Sequence, residues 1–198
     1  MNKQFKELLT KAVWIAIILF IIRCLFSFNT LVEDFSVYVI FGFAGEAIGL
    51  TTIIIALYER HLWRFNPFED TPKLHSNYTG ILLSGYDNIE RIAKLEIKQT
   101  LLSTHIILFS GESRSKSITS SIDTVLGEKQ LTYCYLNTPV AAVRDRSEIH
   151  YGTAMLYIEN SNKISGQYFT DRKTTGDMCF YQQEESSYRQ NEKTSAQI

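Results

Sequence analysis

Residues 12–28, AVWIAIILFIIRCLFSF, and residues 35–58, FSVYVIFGFAGEAIGLTTIIIALY, each contain a single charged side chain. About 20 apolar residues cross a hydrocarbon core of roughly 30 Å as an α-helix. The second run meets that length unaided, and the first meets it once Leu8, Leu9 and Leu31 are included. A cleaved signal peptide is the competing reading of the first run, but no small-x-small cleavage site follows it. Flanking charge sets the expected orientation. Lys3, Lys6 and Lys11 precede the first helix and Arg60 and Arg64 follow the second, whereas the connection, residues 29–34, has no Lys or Arg. Both ends are therefore expected in the cytoplasm, with a tight turn outside and Tyr58 and Trp63 in the interfacial aromatic belt.

Two residues inside these runs resist the apolar pattern. Arg23 and Glu46 would each cost about 2.5–3.5 kcal/mol at mid-bilayer on the insertion scale. Counted from the outer turn, their depths differ by only about 6 Å. They can pair within one hairpin or between neighbouring chains; alternatively Arg23 snorkels and Glu46 is protonated. Gly42, Gly45 and Gly49 add a small-residue face with one Gly-x-x-x-Gly spacing, which favours close helix association in lipid. Arg23, Gly42, Gly45, Glu46 and Gly49 are thus the candidate oligomerisation residues.

Pro67 and Pro72 end the helical region and make a short, stiff connection. From about Ser76 the pattern turns to period two, which is the signature of half-buried strands. Leu95 and Ile97 alternate with Lys94, Glu96 and Lys98; Leu131, Tyr133 and Tyr135 alternate with Thr132 and Cys134; Ile118 and Ile122 alternate with Ser117, Thr119 and Ser121. Turn signals at Gly85, Gly111, Gly127, Asn160 and Gly176 separate about eight strands, near 76–84, 91–99, 103–110, 114–126, 129–137, 149–158, 163–170 and 176–182. Consecutive antiparallel strands must close or leave adhesive edges. The expected fold is a two-helix transmembrane hairpin followed by a small up-and-down β-barrel, with a β-sandwich as the competitor. The expected boundaries are 1–62 for the transmembrane region, 63–75 for a juxtamembrane linker, 76–182 for the barrel and 183–198 for a disordered polar tail.

From residue 66 onward there are 14 Lys and Arg against 16 Asp and Glu. Polymeric nucleic acid needs a basic surface that this composition does not supply; a small phosphorylated ligand needs only two or three well-placed arginines. Cys24, Cys134 and Cys179 have neither metal-ligand nor disulfide spacing. There is no Gly-x-Ser-x-Gly elbow, no His-x-x-x-His and no Gly-rich loop leading into a helix, so no enzyme, cofactor or metal is expected. Three cationic clusters stand at strand ends: Glu112–Ser117, Arg144–Ser147 and Asp171–Thr175. Tyr78, Tyr151 and Tyr168 lie in strands nearby. Arginine forks and serine hydroxyls suit phosphate oxygens, and tyrosine rings stack on bases. The alternative is that the Asp–Arg pairs simply knit loops at a barrel rim.

A set of strings carries a family resemblance: LWRFNPFEDTPKL (62–74), Tyr78-Thr-Gly80, IKQTLLS (97–103), GESRS (111–115), YLNTP (135–139), VRDRSEIHYGTA (143–154) and TDRKTTG (170–176). With its two apolar helices, the chain resembles the SMODS-associating two-transmembrane, β-strand-rich effectors of CBASS, the cyclic-oligonucleotide-based antiphage system. The likeness runs from the helices to about residue 182. It implies an effector in the bacterial inner membrane whose compact barrel resembles fatty-acid-binding proteins. It further implies that a partner nucleotidyltransferase (CD-NTase) makes a cyclic dinucleotide, that the barrel binds it, and that self-association then breaches the membrane lipid and kills the infected cell. The ligand role so implied falls on Tyr78, Ser113, Arg114, Arg144, Arg146, Tyr151, Arg172 and Lys173. Arg144 and Arg146 would face the same way in an extended segment. Read from the residues alone, a membrane-tethered, lipocalin-like carrier of apolar molecules is the alternative.

Overall fold

The computed structural model describes residues 3–28 and 36–183. The expected outer turn and polar tail lie outside these residues, apart from Gln183. The chain divides into two compact units, residues 1–69 with 100–102, and residues 70–99 with 103–198.

The first unit holds helices α1 (Lys3–Phe26) and α2 (Val37–Arg60). Ser36 caps α2, its side chain accepting a hydrogen bond from the Tyr38 amide. Phe43, Ala47 and Thr51, spaced four apart, form the buried stripe of α2. Both helices are long and apolar enough to cross a membrane, yet only 6 % of the first apolar window and 17 % of the second is buried within the protein. Neither is therefore the core helix of a soluble domain. Their apolar faces require lipid or other chains, consistent with a two-pass membrane protein.

After α2, a 3-10 turn at Leu62–Phe65 brings Trp63 into a buried cluster with Leu8 and Leu101. Trp63 is fully buried, which corrects its expected place in an interfacial belt: packing inside the unit takes the ring. The Tyr58 hydroxyl donates to Glu69 and accepts from Asn66, and Lys11 lies over its ring.

The second unit is a closed barrel of eight antiparallel strands in sequence order: β1 (Asn77–Ser84), β2 (Glu90–Gln99), β3 (Thr104–Ser110), β4 (Ser113–Val125), β5 (Glu128–Pro139), β6 (His150–Asn160), β7 (Lys163–Thr170) and β8 (Thr175–Gln182). Pairing of β1 with β8, from Tyr78 opposite Gln182 to Ser84 opposite Gly176, shuts the ring. The sandwich alternative is thereby excluded. Inward residues are those the alternation selects: Leu95, Leu131, Ala154, Leu156, Ile164 and Phe180 are fully buried.

One strand departs from expectation. The register of β4 against β5 shifts between Ser117 and Thr119, a bulge that moves later residues to the other face. Ile118 therefore points outward and is exposed, while Ser115 is buried and the Ser117 hydroxyl accepts from the Ile106 amide at 2.9 Å. Ile122 still packs on the core.

The end of the barrel from which β1 starts is sealed. Leu74 is buried there, held by its amide donating to Gln99 Oε1 at 3.0 Å while Gln99 Nε2 donates to the Pro72 carbonyl at 2.8 Å. Tyr78, also fully buried, donates to the Ser161 carbonyl at 2.6 Å and accepts from the His75 amide.

Candidate functional site

The opposite end of the barrel is open, and a cavity of about 650 Å³ descends from it, within the range of small-molecule sites. Its rim comes from four connections: Tyr86 and Asp87 after β1, Glu112 after β3, Arg146 and Ser147 after β5, and Arg172 and Thr174 after β7. Polar side chains line the upper wall, namely Arg91, Ser110, Ser113, Ser115, Asn137, His150 and Thr170. Leu82, Leu108, Tyr135, Tyr168 and Met178 supply the remaining apolar and aromatic lining.

The strand register places the two tyrosines. Tyr135 lies opposite Gly152 and Tyr168 opposite Gly176. A Cβ added at Gly152 would lie 2.4 Å from the Tyr135 hydroxyl and ring carbon, and one at Gly176 would lie 2.4 Å from the Tyr168 ring. Each ring thus covers a bare stretch of backbone, an arrangement in which aromatic and glycine stabilise one another across strands. Burial pushes the Tyr135 hydroxyl pKa up, with the electrostatic influence of Tyr168 and Asp171 adding to it, so it stays a neutral hydrogen-bonding group. Tyr133, a layer away at a ring separation of 5.8 Å, carries a fully buried hydroxyl with no hydrogen-bond partner.

Electrostatically the site sets three arginines against two carboxylates. Arg91 forks onto Asp87 through Nη1 at 3.1 Å and Nη2 at 2.5 Å, and also donates to the Ile89 carbonyl. That fork holds the Asp87 carboxyl down at about 2. Arg146 reaches Glu112 of the neighbouring β3–β4 turn at 2.5 Å. The hydroxyls partner one another or neighbours: Ser115 donates to Asn137 Oδ1 at 2.8 Å, Ser110 meets Ser113 at 3.0 Å and Thr170 meets Thr174 at 2.6 Å. Arginine forks, a hydroxyl wall and aromatic faces together can hold an anionic oxygen-rich group beside planar rings.

Of the eight residues to which the resemblance gives a ligand role, Ser113, Arg146 and Arg172 line this cavity, as does Tyr168, the third of the tyrosines noted in the strands. The other five lie elsewhere. Tyr78 seals the far end. Arg114 lies on the outer face over the Phe109 ring, and Tyr151 is exposed outside. Lys173 occupies a left-handed turn position (φ 62°). The expected common facing of Arg144 and Arg146 fails because a 3-10 turn at Ala141–Val143 replaces extended chain there; Arg144 donates to the Pro139 carbonyl instead. Arg91, Asp87, Asn137, Tyr135 and His150 escaped the motif search. Arg91 had a signal: it shares its parity with the inward Ala93, Leu95 and Ile97, a cation in the apolar register.

In the helical unit, Arg23 Nε donates to Glu46 Oε2 at 2.6 Å; its guanidinium also donates to Ser27 and lies 4.3 Å from the Phe43 ring centre. The two charges meet within one chain. Gly42, Gly45 and Gly49 have no neighbouring atom within 4 Å of an added Cβ. Among the described residues, no group of three or more His, Cys, Asp or Glu is placed to hold a metal ion.

With this geometry in place, comparison with known proteins is informative. The family model described as "Cap15, cyclic dinucleotide receptor domain" matches residues 69–182, more than half of the chain. The chain belongs to the Cap15 family. It is also 28 % identical over 183 residues to CD-NTase-associated protein 15 of Staphylococcus schleiferi, across 90 % of this chain and 97 % of that protein, so the likeness extends through the helices. A Cap15 domain is a receptor domain, not an enzyme, and its union with two apolar helices is consistent with a CBASS effector role.

Proposed function

We propose that the chain is a CBASS effector whose barrel binds a cyclic dinucleotide in the open cavity, with the helices self-associating in response and disrupting the inner membrane. The observation carrying this is the cavity itself: three arginines and two tyrosine rings inside a domain of the Cap15 receptor family. Two phosphodiesters need cationic donors and two bases need flat apolar faces, and both are present in a space of suitable size. The same arginines argue against an apolar cargo, since a carrier would leave them desolvated against hydrocarbon. One open end and one sealed end support the reading of the barrel as lipocalin- or fatty-acid-binding-protein-like.

The basic flanks favour both termini in the cytoplasm, where a messenger made inside the cell reaches the barrel. In this reading residues 1–62 form the membrane part, 63–75 the connection and 76–182 the receptor. The open glycine face of α2 supports association between copies. Calorimetry of the full chain in detergent micelles with cyclic di-AMP, cyclic di-GMP and cyclic GMP–AMP tests the reading. Saturable binding to at least one is expected, and binding to none would overturn it.

A further inference from the structure

Two cavity arginines meet carboxylates in different ways. Arg91 and Asp87 belong to one hairpin turn, share two hydrogen bonds and are both about one-quarter exposed. That pair fixes a side chain in place. Arg146 and Glu112 come from different connections, share one hydrogen bond and are 61 % and 47 % exposed. This pair links two neighbouring connections along the rim. The Glu112 carbonyl accepts from the Val140 amide at 2.9 Å, so the backbone of the β3–β4 turn is anchored at the root of the β5–β6 connection. Beyond that root the connection turns on itself, with Arg146 and Ser147 amides donating to the Val143 carbonyl. Among the described residues, the side-chain bond alone then ties the outer part of the connection to the neighbouring β3–β4 turn.

An exposed single-contact ion pair is weak and screened by solvent, whereas a phosphodiester offers the same guanidinium a comparable anion plus whatever else the ligand gains inside. We propose that Glu112 is a resident competitor for the ligand: its carboxylate occupies the Arg146 guanidinium that a phosphodiester takes on binding. Exchange of one anion for the other frees the outer part of the β5–β6 connection from the neighbouring β3–β4 turn, so ligand capture and loosening of this part of the rim are one event. Glu112 thereby raises the ligand concentration at which the receptor half-fills. This inference rests on the cyclic dinucleotide reading.

The two partners of a merely structural ion pair lose the same contact and shift binding in the same direction. Here they must act oppositely. The test measures affinity and association rate for cyclic di-AMP, cyclic di-GMP and cyclic GMP–AMP on the full chain in micelles, in wild type, Glu112→Gln, Arg146→Gln and Glu148→Gln. Glu148 is an exposed carboxylate in the same connection, so its variant controls for the loss of one negative charge. Expected are a gain of about two- to fivefold in affinity with faster association for E112Q, and a loss of about tenfold or more for R146Q. E148Q should move less than E112Q. Melting temperatures confirm that each variant is folded. Weaker or unchanged binding in E112Q, or an equal gain in E148Q, overturns the competitor while leaving the ligand reading standing. Absence of binding by wild type overturns both.

Discussion

The Arg23–Glu46 pair invites the most stringent test of the helical unit. Glu46→Leu leaves the guanidinium with only Ser27 and the Phe43 ring. A neutral interhelical hydrogen bond in lipid is worth about 0.6 kcal/mol on average, but an uncompensated arginine near mid-bilayer costs about 2.5–3.5 kcal/mol on the insertion scale. The charge decides the magnitude. Each of E46L and R23L should destabilise the helix pair by about 2–3 kcal/mol, while R23L/E46L, with no charge left to bury, should recover to within about 1 kcal/mol of wild type. Detergent-titration unfolding of the full chain in mixed micelles gives all four corners of the cycle. A double variant no better than the worse single would refute the idea that the two charges compensate each other, and four equal stabilities would mean that neither lies in hydrocarbon.

Four further outcomes are expected. Gly45→Leu and Glu46→Leu should abolish killing on expression with a messenger synthase while binding by the barrel persists; full lethality would remove the basis for helix association. Gly152→Val should push the Tyr135 ring from its seat and lower ligand affinity by at least about tenfold, read by calorimetry, with β-sheet circular dichroism unchanged. Arg91→Gln should weaken binding by a similar factor, with a melting temperature lowered about as much as by Asp87→Asn, since both variants lose the same pair. Asp87 titrates at about 2 in the fold against an ordinary 3.8, so its contribution to stability is complete above the ordinary value and disappears as pH falls through about 2. Urea midpoints of wild type and Asp87→Asn should therefore differ near neutrality and converge on acidification.

Strand positions were legible because glycine and asparagine turns bracket runs of strict alternation; β7 begins and ends at the expected residues 163 and 170. The interior of the open end was not. Alternation assigns polar residues to the outside, but Arg91, Ser115 and Asn137 occupy inward positions where a site, not a core, is built. The β4 bulge hid this further by giving Ile118 to the surface and Ser117 to the inside. Cationic turns were visible as clusters, yet which members face the cavity depends on local turns. Arg146 reaches the mouth and Arg144 does not because the chain coils through Ala141–Val143 between β5 and β6.

The hydrogen bonds between β1 and β8 close the ring, so neither the first nor the last strand offers an open edge. Copies therefore cannot lengthen a shared sheet at the β1–β8 seam, a common hazard of β-rich proteins at high local density. On the proposed reading, receptors crowded onto one patch of bilayer have no such seam to fuse along, and their association is left to the helices.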